Sequence, residues 1–353
     1  TPRRGCDYGW ELGIKALIDN ADCSHKARFT LIDADGNEKA SAIADLRPII
    51  SAKLPVEDPV LWNGRKNPYL YTVRCEIFDS TTQEVTDNID IRTGLREYHI
   101  DSHKGFFLNG EHIKLQGVSR HQDRENMGNA ITEKQHAEDV KIILDVGANS
   151  VRLAHYQQNS YFYDLCDESG LLVWAEVPVI SRFSPKRNEN AEQQLVELIK
   201  QNYNHPSIFC WGIENEITIA GSASKKLITF LKHMHKVARH LDPTRYTTCA
   251  QLTMCPVNSP LNHITDIIGY NHYYGWYMGS CDEINNWLDE WHRENPEGKL
   301  CLSEYGAEGI TKYHSDSPVQ GDYSEDYQAI YHEHYIKSIN ERDWLWGLSL
   351  IHI

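Results

Sequence analysis

The chain has 353 residues, 41% hydrophobic and 24% charged, with a formal net charge of −15 from 50 acidic and 35 basic residues. That length exceeds one ordinary domain and suits a small domain beside a barrel of about 250 residues. The acidic balance excludes a nucleic-acid binder, because no basic footprint is available for phosphates, and no apolar run approaches the ~20 residues of a membrane span.

Residues 1 to 100 read as β. Ala27–Asp33 is strand-like, Asp35-Gly36-Asn37 is a turn, and Tyr69–Phe78 alternates strongly. Pro55, Pro59 and Pro68 punctuate the loops, and the spacing predicts an immunoglobulin-like sandwich. From residue 101 strands and helices alternate. A strand over Ile113–Val118 precedes a helix opened by Thr132, with Gln135 completing a capping box. Then come a strand at Ser150–Leu153, a helix over Tyr161–Ser169 and a strand at Leu171–Trp174. A helix over Ala191–Tyr203 leads to the strand Ile208–Ile213, and Leu227, Leu231, Met234, Val237 and Leu241 mark the next helix. Further strands fall near Thr247–Ala250, Ile267–Tyr270 and Leu300–Ser303. Such alternation implies a parallel sheet, and about seven units favour closure into a TM-free α/β TIM (β/α)8 barrel over residues 101–353.

Nine cysteines form no C-x-x-C pair. Their odd number and irregular spacing predict neither a disulfide framework nor a zinc site. Cys210 and Cys301 lie in apolar runs and read as small buried hydrophobes. A reducing, cytoplasmic setting fits this usage.

Function in such a barrel belongs at the C-terminal strand ends. Read there, strand one gives Arg120-His121-Gln122, strand two Arg152 through Tyr156, strand three Glu176 and strand four Asn215-Glu216. Strand six gives Tyr270 through Tyr274, and strand seven Glu304-Tyr305-Gly306. Two strand-end glutamates among aromatics, histidines and asparagines suit glycoside hydrolysis. One carboxyl group protonates the leaving oxygen, and a second attacks the anomeric carbon or activates water. Arg152 reads as a buried partner for a strand-end carboxylate such as Glu304. Glu214 and Glu308 read as structural or rim carboxylates, Trp211 as barrel packing, and His233, His235, His332 and His334 as helix-surface residues.

These motifs also match a family. Asn204 through Glu216 resembles the acid/base signature of glycoside hydrolase family 2, and Asn149 through Trp174 resembles its other signature, departing at Leu153 and Gln157. Ser303–Glu308 looks like the nucleophile strand, and Gly269–Tyr277 resembles a segment of the smaller β-galactosidases and β-glucuronidases. The resemblance implies that Glu304 is the nucleophile and Glu216 the acid/base. It implies that Asn215, His121, His155, Tyr273, Asn271 and Trp276 bind substrate, with Tyr273 against the nucleophile. Magnesium-dependent members carry a Glu-x-His pair after strand three. Here Glu176-Val177-Pro178 offers none, so no metal and no other cofactor is expected.

The substrate expected is a β-galactoside, on the look of Arg120–Arg124 and Ile213–Ile217 and on a negative charge that mildly repels a uronic acid. β-Glucuronidase and β-mannosidase are the alternatives within the family; the glucuronidases' Asn-x-Lys motif would lie beyond strand eight. A metal-dependent hydrolase would need His-x-His on strand one. A non-catalytic carbohydrate-binding protein would be expected to have lost Glu216 or Glu304. The start, Thr1-Pro2-Arg3-Arg4, reads as the interior of a longer chain, and residues 348–353 resemble translated sequencing adaptor. The barrel is therefore expected to be incomplete at strand eight. The family's N-terminal domain is expected to be missing, the parent enzyme to be a homo-oligomer, and the chain by itself to be a poor catalyst.

Overall fold

The computed structural model describes residues 2–4 and 9–351. Cys6 lies outside them. The first part is a sandwich. A three-stranded sheet orders Pro2–Arg4, Trp10–Leu17 and Ile49–Val56; a four-stranded one orders Glu38–Asp45, His25–Ile32, Tyr71–Asp79 and Val85–Thr93. Alternate residues of each face the shared core, so Leu12, Phe29, Leu31, Leu54, Tyr71 and Val73 are buried together. The predicted turn forms at Gly36, whose left-handed φ of 85° costs glycine nothing.

A small antiparallel sheet (Tyr98–Asp101, Gly105–Leu108, Glu111–Ile113) joins the sandwich to the barrel. Residue 100, the expected boundary, falls inside its first strand. This sheet plugs the N-terminal end of the barrel, packing Ile100, Phe106 and Leu108 on Trp174, Phe209 and Trp346. Tyr98 donates to the carbonyl of Phe209 at 2.7 Å, and Trp62 Nε1 to that of Asp167 at 2.9 Å. At the same junction Gly170 caps a helix with φ 73°, and a Cβ there would lie 2.2 Å from the Gly64 carbonyl oxygen.

The eight barrel strands run in chain order: β1 (Leu115–Ser119), β2 (Ser150–Leu153), β3 (Leu172–Glu176), β4 (Ile208–Asn215), β5 (Tyr246–Leu252), β6 (Ile267–Asn271), β7 (Leu300–Tyr305) and β8 (Gly347–Leu350). The helices are α1 (Glu133–Asp145), α2 (Ser160–Ser169), α3 (Asn188–Asn202), α4 (Lys225–Leu241), α5 (Glu283–Glu294) and α6 (Glu325–Asn340). Each helix buries one stripe, as α4 does with Leu227, Phe230, Leu231, Met234 and Ala238. Gln135 Oε1 accepts the Thr132 N–H at 2.9 Å, the reach-back half of the predicted capping box.

Strand eight differs from the expectation. Leu348–Leu350 pair with both β1 and β7, and the barrel closes. Backbone pairing needs only an apolar segment of the right period, which Leu348-Ser349-Leu350 provides. His233 is exposed as expected, but His235, His332 and His334 are half-buried. The described cysteines are free thiols, with Cys166, Cys210, Cys249, Cys255 and Cys301 buried. Among the described residues no helix is long and apolar enough to cross a membrane.

Candidate active site

Arg152, at the end of β2, organises one side of the barrel mouth. Its side chain is only 1% exposed, and its fixed fork of donors serves several acceptors. Nε donates to Glu176 at 3.0 Å, Nη1 to Glu304 at 2.6 Å, and Nη2 to Asn215 Oδ1 at 2.7 Å. His155 closes the group, with Nδ1 2.7 Å from Glu176 and Nε2 3.7 Å from Glu304. Burial alone would raise the Glu176 carboxyl, but Arg152 and His155 outweigh it and hold the group below the usual carboxylate range. The two carboxylates in turn keep the Arg152 guanidinium charged despite its burial.

Glu304 ends β7, paired in register with Asn271 of β6. The Tyr273 hydroxyl donates to its Oε2 at 2.5 Å. Burial first and Glu304 second push the Tyr273 phenol up, so it remains a donor. Ser303 Oγ donates to Asn271 Oδ1 at 2.7 Å, and Asn271 Nδ2 donates to Asn215 Oδ1 at 3.2 Å. Both bonds to Asn215 thus land on its oxygen, leaving its Nδ2 with no protein acceptor among the described residues.

Glu216 stands on a different footing. It follows β4 with a left-handed φ of 47°, an uncommon backbone for a non-glycine residue. Its N–H donates to the Ala250 carbonyl at 2.8 Å. No cation contacts its carboxyl group among the described residues. Burial first, then the charge of Glu304, raise it above the ordinary value, against a hydrogen bond from Asn271. Two residues earlier, Glu214 is fully buried. It accepts from Ile217 N–H at 3.0 Å and from Gln251 Nε2 at 2.9 Å, and burial pushes it up to about 8.

The structure therefore gathers Glu216, Glu304, Asn215, Asn271, Tyr273 and His155. His121 lies at the exposed rim, its ring edge-on to His155 at 5.2 Å. Trp276 is buried with its ring on Tyr323 and Tyr327, in the packing that leads to α6. Arg152 reaches Glu304, the partner read from the sequence. Glu176, read only as a strand end, turns out to be the second carboxylate that Arg152 holds; nothing in its local sequence marks it. Trp211 is packing, with Nε1 on Asp242 at 3.0 Å. Asp164, Asp167 and His205 bring three donor atoms within 4.8 Å of one another. His205 already bonds Asp167 at 2.6 Å and Arg92 bonds Asp164 at 2.9 Å, and Asp167 meets the start of β4, the barrel end opposite Glu216.

Residues 100–345 match the glycosyl hydrolases family 2 TIM barrel domain, and residues 11–96 match the family's preceding domain. A β-glucuronidase of Bacteroides fragilis is 40% identical over 94% of this chain and 50% of its own length. A β-galactosidase of Thermoanaerobacter pseudethanolicus is 31% identical over 67% of this chain and 32% of its own. The crystal structure of an FMN-binding β-glucuronidase from Facaelibacterium prausnitzii L2-6 superposes with a TM-score of 0.95 at 43% identity. The match covers 99% of this chain and 54% of that one. The chain spans about half the length of the relatives it matches.

Proposed function

Because the chain belongs to glycosyl hydrolase family 2, we propose that its barrel hydrolyses a β-glycoside with retention, and that the sugar is a glucuronide. The observation that carries the reaction type is the contrast between two carboxyl groups at one barrel mouth. Glu304 lies against the Arg152 guanidinium and the Tyr273 hydroxyl. Glu216 has no cation against it among the described residues, and burial raises it. A pair of carboxyls in opposite surroundings is what a nucleophile and an acid require.

In this reading a Glu304 oxygen attacks the anomeric carbon. The bond to the leaving oxygen breaks as Glu216 hands that oxygen its proton. Water then enters, Glu216 takes a proton from it, and its oxygen displaces Glu304 from the anomeric carbon. Asn215 Nδ2 is placed to donate to the sugar hydroxyl beside that carbon, since its own oxygen is held by Arg152 and Asn271. His121 and His155 line the side of the site on β1 and β2.

The galactoside expectation rested on strand-end motifs and net charge. The relatives favour a glucuronide instead: the β-glucuronidase of B. fragilis is the nearer match, at 40% against 31% identity. A panel of nitrophenyl β-glucuronide, β-galactoside and β-mannoside on the protein at its natural full length tests the sugar. Turnover of the galactoside alone would reverse the choice. A 2-fluoro-glucuronide should leave a covalent adduct on the peptide containing Glu304, and none in Glu304→Gln.

A further inference from the structure

We propose that Glu214 is a positioning residue for Glu216: its buried carboxyl group clamps the turn that aims the acid/base, and so governs protonation of the leaving oxygen. The inference rests on the acid/base reading of Glu216. Three features of the turn carry it.

First, the turn needs holding. Glu216 sits at φ 47°, the left-handed region that a residue with a Cβ adopts only under restraint. The pairing of β4 with β5 shifts register between Gly212 and Asn215 and resumes only at Asn215–Ala250, so the ladder holds the turn from one side alone. Second, Glu214 closes the turn. Its Oε2 accepts the N–H of Ile217, bridging Asn215 and Glu216 with a side chain just beyond the last ladder pair. Its Oε1 meets Gln251 of β5 at 2.9 Å, which ties the same carboxyl to the neighbouring strand. Third, the group has no other evident work. It is 0% exposed, and no cation bonds it among the described residues, unlike Glu176 one strand away. A buried carboxyl without a cation is costly as an anion, so Glu214 acts as a neutral acid. Gln251 Oε1 is buried without a partner. Turned over, the Gln251 amide would accept the Glu214 proton through that oxygen, giving the clamp a donor and an acceptor at once.

The clamp should therefore matter for the step that uses Glu216 and little for attack by Glu304. Aryl β-glucuronides separate the two. A phenyl leaving group needs its oxygen protonated, whereas 2,4-dinitrophenolate departs without help. In the protein at its natural full length, Glu214→Met fills the space without an acceptor. It should lower kcat/KM on the phenyl glucuronide at least roughly tenfold and barely touch the dinitrophenyl substrate. It should also move the alkaline limb of the phenyl pH profile downward, as Glu216 gains solvent. Glu214→Gln keeps an acceptor for Ile217 and should restore most of the loss. Equal losses on both substrates, or none on either, would overturn the proposal. Glu216→Gln serves as the control: if it shows no dependence on the leaving group, the acid/base reading itself fails. If it does and Glu214→Met does not, only the clamp fails. Should Glu214→Met not fold, the same ratio is read in Gln251→Met, which removes one anchor of the clamp; an unchanged ratio there also overturns the proposal.

Discussion

The mouth of the barrel holds two pairs of acidic side chains that differ in one respect. On β2, β3 and β7, Glu176 and Glu304 share the Arg152 guanidinium, with His155 beside it. On the turn after β4, Glu214 and Glu216 have only neutral donors among the described residues: Ile217 N–H, the Cys249 thiol and the amides of Gln251 and Asn271. Glu176 and Glu214 are equally buried, yet one is held below the carboxylate range and the other pushed up to about 8. Depth therefore does not decide protonation here. Arg152 and His155 do, because their attraction and hydrogen bonds together outweigh the desolvation that both glutamates suffer. The result is an anionic half held by Arg152 and a half with neutral donors, at one barrel mouth.

Removing the cation should break this contrast with the largest effect. Arg152→Met leaves Glu176 and Glu304 buried without a counter-charge, a loss of about 3–5 kcal/mol at neutral pH. Activity should vanish with it. Urea denaturation at pH 7 and pH 5 checks the cause. Because Glu176 is lowered by Arg152, the variant's deficit should shrink at pH 5, where the orphaned Glu176 carboxyl takes up a proton. A deficit of the same size at both pH values would mean that Arg152 acts through packing alone.

How much of this was legible in the sequence follows from the same contrast. The barrel strands were legible because they are short apolar runs between helical stripes, and β4 and β7 end visibly in Asn215-Glu216 and Glu304. Helix α4 carries Leu227, Leu231 and Met234 at plain helical spacing, so it required no tertiary information to find. Closure by Leu348–Leu350 was not legible, because pairing with β1 and β7 depends on what those strands offer rather than on a motif. Glu214 was least legible of all. In sequence it is one more carboxylate beside Glu216. What sets it apart is that β5 presents Gln251 to it while the guanidinium on β2 goes to Glu176 and Glu304.

The neutral half can be tested without touching chemistry. Glu214 has a folded value of about 8 against an ordinary 4.5. Its proton thus contributes stability that is full below about 4.5 and is lost as pH rises through about 8. Glu214→Gln does not titrate. Its stability relative to the parent should rise across that window, by on the order of 2–4 kcal/mol between the two ends. Melting temperatures of both proteins at pH 5, 7 and 8.5 give the slope. A difference independent of pH would mean that Glu214 is ionised in the fold and that the two halves are not opposites.

Tyr273→Phe is the mildest change, because it removes a neutral donor from the anionic half and leaves the cation. Glu304 keeps Arg152 at 2.6 Å but loses the hydroxyl bond on Oε2. The net worth of such a bond is about 1–2 kcal/mol, so kcat/KM should fall roughly tenfold with stability nearly unchanged. The dependence on the leaving group matters more than the size. If Tyr273 serves attack by Glu304, the loss should be the same on the phenyl and the dinitrophenyl glycoside. A loss confined to the phenyl substrate would put the hydroxyl in the service of Glu216 instead. The division of the mouth into a cation-held half and a neutral half would then have to be redrawn around Tyr273.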